Sequence, residues 1–462
     1  MIESLLRALE ASRDTPLCMG LDDMGGLAWQ QTGEQLLSRI GAWQGWLRAE
    51  GVRPGDRVGI DLSRGPELLP AHAAALAIGS CVVPLNPALT PGERSRVLER
   101  AALRTLITGD STPIKSGSAE LTLSSPDTPA LLIFTSGTTG EPKGVPHTLS
   151  GLEANLEGLA ETWALQPGER MLHALPAHHV HGLVLGLYGC ARLGMPIVLV
   201  PRFQVEACLH ALQAFEIQVF MGVPTMYHRL AQAASVPALP AARLFISGSA
   251  PLSAHDFSSF EHRFGHRPLE RYGLTETLIV SSNPLKGERR AGTVGLALPK
   301  TEIQLAADGE ILVRGPAVLQ GYWQDPAGTA AALRDGFFCT GDLGSFDSAG
   351  YLVISGRKKE LIIVGGSNVL PGEVEHALAG DPAVDELAVA GLPDPDRGEV
   401  VAAFVVLLPG ADPSAAERRL RDRAEADLAR YKRPVVFHFV PALPRNAMGK
   451  VDRRALRSRG AS

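Results

Sequence analysis

The chain is short of cysteine, aromatic residues, net charge and long apolar runs, and each shortage excludes something. Five cysteines are scattered over 462 residues, at Cys18, Cys81, Cys190, Cys208 and Cys339, with no Cys-x-x-Cys pair. An odd and dispersed set argues against a disulfide framework and against a cysteine zinc cluster, and it fits a reducing compartment. Aromatic residues make up 5%, too few for a surface that stacks single-stranded nucleic acid. Lys and Arg number 44 against 49 Asp and Glu, a formal charge of −5, so no polyanion footprint is visible and no nucleic-acid partner is expected. The most apolar stretch, Gly182 to Val200, is broken by Arg192 and Pro196, so no membrane insertion is expected. The N-terminal MIESLLRALEASRD places acids early and lacks a long apolar segment; it reads as an amphipathic helix rather than a signal peptide, and the expected location is cytoplasmic.

What remains is a globular composition, 45% hydrophobic and 20% charged, of a length that suggests about two to four domains. Helical patterns alternate with short β-branched runs: a helix over Gln31–Glu50, strands at Val58–Leu62 and Cys81–Leu85 around a helix at Leu68–Ile78, a buried strand at Leu131–Phe134, then strand, helix and strand at Pro196–Val200, Val205–Phe215 and Val219–Gly222. Such alternation predicts an α/β architecture with mainly parallel strands. After about Gly295 the texture changes to short strands at Glu302–Leu305, Gly309–Val313 and Tyr351–Ile354. Past a charged joint, Gly356-Arg357-Lys358-Lys359-Glu360, a small α+β pattern follows. The predicted division is therefore a large multi-subdomain N-terminal body with mainly parallel sheets plus a short β region, 1–355, and a C-terminal domain, 356–462. Residues 418–462 hold 13 Lys and Arg against 4 Asp and Glu, either a solvated basic face or a rim that attracts phosphate.

The buried strand at Leu131–Phe134 opens on Thr135-Ser136-Gly137-Thr138-Thr139-Gly140-Glu141-Pro142-Lys143-Gly144. Glycines permit close backbone approach, hydroxyls and free N–H groups can surround an oxyanion, and the lysine adds a point charge. This is phosphate-cradle chemistry, yet the order Pro-Lys-Gly departs from the Walker A loop, where a hydroxyl residue follows the lysine.

That string resembles the phosphate-loop signature of the adenylate-forming enzymes, a superfamily of acyl-CoA synthetases, luciferases and carrier-loading adenylation domains, and further signatures follow in order along the chain. The resemblance implies ATP, Mg2+ and coenzyme A as cofactor and co-substrates, and a C-terminal domain that moves. It places Thr135, Ser136, Gly137, Thr138, Thr139, Gly140 and Lys143 on the triphosphate, with Thr138 also near the metal. Ser247-Gly248-Ser249-Ala250-Pro251 matches the adenine-pocket segment. Arg271-Tyr272-Gly273-Leu274-Thr275-Glu276 matches a motif in which Tyr272 stacks adenine, Thr275 meets the α-phosphate and Glu276 holds Mg2+. Arg271 and Gly273 belong to the nucleotide set in the same reading. Thr340-Gly341-Asp342 supplies Asp342 to the ribose hydroxyls, joined by Arg357. Lys450, in Pro444-Arg445-Asn446-Ala447-Met448-Gly449-Lys450, bridges substrate carboxylate and α-phosphate. Lys359 occupies the pivot of the domain swing, and Gly365 and Gly366 line the pantetheine tunnel.

For the acid, the resemblance is to malonyl-CoA synthetases. Four histidines crowd into His173–His181; with no acidic or cysteine partner nearby they read as pocket lining rather than a metal site, and His181 is the one expected to face substrate. Ser281 and Ser282 belong to the same pocket. Arg289 or Arg290, just before Gly292-Thr293-Val294-Gly295, is expected to pair with a distal carboxylate, with Arg289 favoured. The implied activity is an ATP-dependent acid–CoA ligase making malonyl-CoA or methylmalonyl-CoA. The alternatives are loading of an acyl carrier protein, a simple short-chain acid, or a non-catalytic nucleotide-binding homologue. A monomer or weak homodimer is expected.

Overall fold

The computed structural model describes residues 1–113, 116–122, 125–136, 141–445 and 451–460, with Ser136 described in its backbone only. Gly137, Thr138, Thr139, Gly140 and Lys450 lie outside the described residues. By packing, the chain forms two compact units, Met1–Ile303 with Val313–Cys339, and Gln304–Leu312 with Thr340–Ser462.

The first unit is built on two sheets, in line with the α/β expectation. One has nine strands in the spatial order Leu296–Ala297, Leu278–Ser282, Leu269–Leu274, Leu244–Ser247, Val219–Gly222, Met171–His173, Ile197–Leu199, Pro16–Leu21, Leu27–Thr32. Its middle is parallel, with Val219–Gly222 in register with Leu244–Ser247 on one side and Met171–His173 on the other. The second sheet orders Thr105–Ile107, Arg57–Ile60, Cys81–Pro84, Pro129–Ser136 and Pro142–Thr148. Strands buried on both faces read as nearly continuous apolar runs, which is why Cys81–Pro84 and Leu244–Ser247 are buried throughout. Helix Leu68–Ala77 is apolar on every face and buried along its whole length; it packs against Gly33–Ala49, which buries Leu36, Ile40 and Trp43. The sequence pattern had run that second helix back over Gln31. The chain instead completes an edge strand at Thr32, whose hydroxyl caps the helix in a reciprocal box with Gln35.

The Gly182–Val200 stretch is neither a span nor an ordinary helix. His181–Gly189 forms a nine-residue π-helix buried at every position, and Cys190–Leu193 continues it as an α-helix. No helix among the described residues is long and apolar enough to cross a membrane. Gly186 is required here, because a Cβ would stand 2.6 Å from the His173 ring, whose Nε2 bonds to the Gly182 carbonyl at 2.7 Å.

The second unit starts earlier than the expected 355/356 boundary. Strand Phe337–Phe346 carries the chain into it and pairs antiparallel with Leu352–Arg357, from Phe346↔Leu352 to Asp342↔Arg357. This ladder ties together residues on both sides of 355/356, and Gly344 also donates to the Gly309 carbonyl at 3.0 Å. Beyond it lies a sheet ordered Ser367–Val369, Ile362–Val364, Gly398–Leu407 and Val384–Asp394, with Val436–Phe439 also pairing with Gly398–Leu407. Helices Pro371–Leu378 and Pro413–Asp427 cover an apolar core that includes Val374, Leu378, Leu420 and Ala424.

Candidate active site

The described ends of the phosphate-loop sequence lie on two paired strands. Pro129–Ser136 and Pro142–Thr148 run antiparallel, with Thr135 opposite Lys143 and Ser136 opposite Pro142. The register places Lys143 one pair from the end of this ladder. Its ammonium lies over the ring of Tyr322, 4.6 Å from the centroid, and the Tyr322 hydroxyl donates to Glu276 Oε1 at 3.1 Å. The lysine expected on the triphosphate and the carboxylate expected to hold the metal therefore meet on one tyrosine, a residue that no motif singles out. Its signal in the sequence is slight, a Tyr-Trp pair after Gly321. His147, on the strand after the loop, bonds to the Thr275 backbone, and Leu319 N–H donates to the Glu276 carbonyl at 2.8 Å. One carboxylate whose rotation is fixed through one oxygen suits Mg2+, which keeps several waters and binds through a carboxylate or two plus phosphate oxygens. Among the described residues no group of three His, Cys, Asp or Glu side chains could hold a metal.

Asp342 and Arg357, expected to take the ribose, both lie in the second unit. Asp342 is buried and receives Arg357 Nε at 2.8 Å. A cavity of about 340 Å³ there is lined by Thr340, Gly341, Arg357, Lys358 and Lys359. Lys358 is tied to Asp308 at 2.6 Å and Glu310 at 3.2 Å. Lys359 differs: burial and then the Arg357 charge push its ammonium below the usual lysine range. Gly365 and Gly366 form a turn with positive φ, and nothing lies within 4 Å of where a side chain would stand.

The residues expected to line the acid pocket, His181, Ser281, Ser282, Arg289 and Arg290, all lie in the first unit. Arg289 spends its guanidinium on backbone carbonyls, those of Arg267 at 2.5 Å, Leu285 at 3.3 Å and Pro284 at 3.4 Å, where it braces the 284–289 loop. Arg290 donates twice to Glu288, at 2.7 and 2.9 Å. Neither arginine expected to meet a distal carboxylate has its fork aimed into the buried site. Arg271 does. It is 4% exposed, its guanidinium presses on Gly248, where a Cβ would stand 2.5 Å from Cζ, and its Nε and Nη2 have no hydrogen-bond partner among the described residues. Two other buried polar atoms without a partner among the described residues belong to side chains that feel its charge, His181 Nε2 and Tyr227 Oη. Each such group costs about 1–3 kcal/mol when left unmade. Ser282, by contrast, is occupied, accepting from Trp163 Nε1 at 2.9 Å and donating to the Asn283 carbonyl.

Electrostatics keep the Arg271 charge available. Burial pushes its guanidinium down to about 9, still protonated at neutral pH. Its neighbour Glu270 is no counterion, because burial raises that carboxyl to about 8. Burial, then the Arg271 charge, holds His181 well below the usual histidine range, so it is neutral. Ser249 shares a hydrogen bond of 3.3 Å with His181 Nδ1 and sits at φ +73°, a strained conformation for a non-glycine residue of the kind that clusters at ligand sites. A pH effect follows. Glu270 is protonated below about 8 and ionises above it, placing a negative charge beside Arg271. The KM for a dicarboxylic acid should therefore rise as pH passes 8, while that for a monocarboxylic acid stays level. Steady-state kinetics from pH 6.5 to 9 check this, and parallel profiles for the two acids would refute it.

The AMP-binding enzyme model matches residues 22–123 and 115–323, and the AMP-binding enzyme C-terminal domain matches 373–450. The chain belongs to the AMP-binding enzyme family. Members similar to it include a malonate–CoA ligase of Arabidopsis thaliana, 38% identical over 72% of this chain and 60% of that protein, and a 2-succinylbenzoate–CoA ligase of Bacillus licheniformis, 33% identical over 91% and 93%. The chain thus spans about three fifths of the plant ligase's length. Among solved family structures, ATP-bound MatB from Rhodopseudomonas palustris shares 33% identity with a TM-score of 0.88, covering 99% of both chains. A Bacillus subtilis o-succinylbenzoate-CoA synthetase complexed with AMP shares 28% with a TM-score of 0.86, covering 98% of both.

Proposed function

We propose that the chain is an ATP-dependent acid–CoA ligase whose acid is a short dicarboxylate of the malonate class. In the first half-reaction a carboxylate oxygen attacks the α-phosphorus of ATP, the bond to the bridging oxygen breaks and pyrophosphate leaves. In the second, the CoA sulfur attacks the acyl carbon, the bond to AMP breaks and the thiol proton is released. Lys143, with Ser136, Thr138 and Thr139, neutralises the triphosphate. Tyr272 packs on adenine, Thr275 meets the α-phosphate, Asp342 and Arg357 take the ribose, and Lys450 bridges carboxylate and phosphorus. Glu276 holds Mg2+. The chain pivots at Lys359 between half-reactions, and Gly365 and Gly366 give the pantetheine arm a side-chain-free path.

The observation that carries the acid assignment is Arg271. A buried cation with two N–H groups unpartnered is matched by a substrate with a second carboxylate, which accepts a guanidinium fork through two oxygens. His181 and Tyr227 add unpartnered polar atoms that feel the same charge. A monocarboxylic acid would leave these groups unpaired, which is the situation that gives strong discrimination. Pyrophosphate release with malonate, methylmalonate, succinate, acetate and butyrate, each with and without CoA, tests the reading. Malonate or methylmalonate should exceed acetate and butyrate by about 10²-fold or more in kcat/KM. Equal rates with butyrate would overturn the dicarboxylate assignment. Sustained turnover with a carrier protein but not CoA would reassign the acceptor.

A further inference from the structure

We propose that Tyr322 is a positioning residue that holds Lys143 and Glu276 apart and aimed, with its ring under the ammonium and its hydroxyl on the carboxylate. The proposal rests on the reading of Lys143 and Glu276 as the phosphate and metal groups, and it concerns how two opposite charges are kept ready for a ligand that carries both signs.

A lysine and a glutamate that serve one metal–triphosphate complex have an inherent difficulty. Before the complex arrives they attract each other, and in a partly buried site that attraction is poorly screened. A closed ion pair would have to be opened before either group could bind. An aromatic face offers the ammonium a weaker berth than a triphosphate does. The ring takes the lysine at 4.6 Å, and the hydroxyl of the same side chain takes Glu276 Oε1 at 3.1 Å.

The backbone around Tyr322 is fastened to the strand that carries Lys143 and to the turn that carries Glu276. Trp323 N–H donates to the Gly144 carbonyl at 2.8 Å, next to Lys143, and the Trp323 indole donates to the Arg100 carbonyl at 3.0 Å. Leu319 N–H donates to the carbonyl of Glu276 itself at 2.8 Å. Tyr322 N–H is held by Thr329 Oγ1 at 2.9 Å. A Cβ at Gly144 would stand 2.8 Å from Trp323 Cβ, so a glycine is what lets the strap approach the hairpin. The strap thus spans the phosphate-loop hairpin and the Glu276 turn, with Tyr322 between its anchors.

The test is acid-dependent ATP–pyrophosphate exchange, measured against free Mg2+ and against ATP, for Tyr322→Phe, Tyr322→Leu, Glu276→Gln and the double variant Tyr322→Phe/Glu276→Gln, with thermal melting of each. Tyr322→Phe keeps the ring and loses the hydroxyl. It should raise the Mg2+ concentration for half-maximal rate by about tenfold, the size expected for a hydrogen bond to a charged group, and leave the ATP KM at saturating Mg2+ within a few-fold of wild type. Tyr322→Leu should raise both. In the Glu276→Gln background, Tyr322→Phe should add little to the Mg2+ requirement. Equal loss at every Mg2+ concentration, tracking a lower melting temperature, would reduce Tyr322 to packing and overturn the proposal. So would a Tyr322→Phe penalty that is undiminished in the Glu276→Gln background. A Glu276→Gln variant with an unchanged Mg2+ requirement would instead overturn the metal assignment of the site, a different outcome from loss of coupling alone.

Discussion

Replacing Arg271 with glutamine should lower kcat/KM for malonate by about 10²- to 10³-fold and leave butyrate within a few-fold of its wild-type value. Removing one partner of a buried, hydrogen-bonded charge pair costs about 2–5 kcal/mol, much of it the penalty on the charge left behind, here the distal carboxylate of the substrate. Arg271→Lys should recover part of the loss, because an ammonium keeps the charge and forfeits the two-pronged geometry. The stability confound is limited by Glu270. With its carboxyl raised to about 8 and its Oε1 receiving Leu252 N–H at 3.0 Å, that residue is protonated at neutral pH and does not require the guanidinium as counterion. Melting curves beside the kinetics complete the test. An unchanged malonate-to-butyrate ratio in Arg271→Gln, with the ratio lost in Arg289→Gln, would return the role to the 284–290 loop.

The second large effect belongs to Lys450. Lys450→Ala should reduce malonate-dependent pyrophosphate exchange by roughly 10²- to 10³-fold, since an aimed charge at a phosphoryl transition state is worth that order. Thioester formation from supplied malonyl-adenylate and CoA should stay close to wild type, because no phosphoryl bond to ATP is broken in that step. Quenched-flow assays of the separate half-reactions measure both. Equal losses in the two would show that the residue supports the fold or the swing rather than the first chemical step.

Much of this molecule could be read before it was seen, and the misses have physical causes. Local periodicity located helices such as Val205–Ala214 and strands such as Val219–Gly222, because burial there is written in consecutive residues. The edge hairpin Pro16–Leu21 and Leu27–Thr32 was missed, since its parallel partner Ile197–Leu199 lies about 180 residues away and no local pattern announces such a pairing. The π-helix at His181–Gly189 was visible only as an apolar run, because a stretch buried on all sides has no polar face from which to measure a period. The nucleotide motifs are legible as strings, and the family they point to is the one the chain belongs to. Arg271 was assigned by adjacency to Tyr272. Both lie on strand Leu269–Leu274, and successive side chains of a strand leave on opposite faces, which is consistent with the proposal that they serve different ligands. Arg289 was favoured because its place beside the glycine turn is right in sequence; its donors are consumed by three carbonyls that only the folded loop brings near.

The discontinuous make-up of the second unit bears on how such a protein can be recombined. Its residues come from Gln304–Leu312 as well as from Thr340 onward, so the polypeptide passes between units at three places, not one. A cassette exchanged at the charged joint near residue 356 would bring a foreign Arg357 to a resident Asp342, parting two residues that hold each other at 2.8 Å. A graft cut at 339/340 and carrying its own 304–312 segment would keep that pair, and Lys358 with Asp308 and Glu310, of common descent. Inheritance by modules, in this chain, is bounded by a strand ladder rather than by a linker.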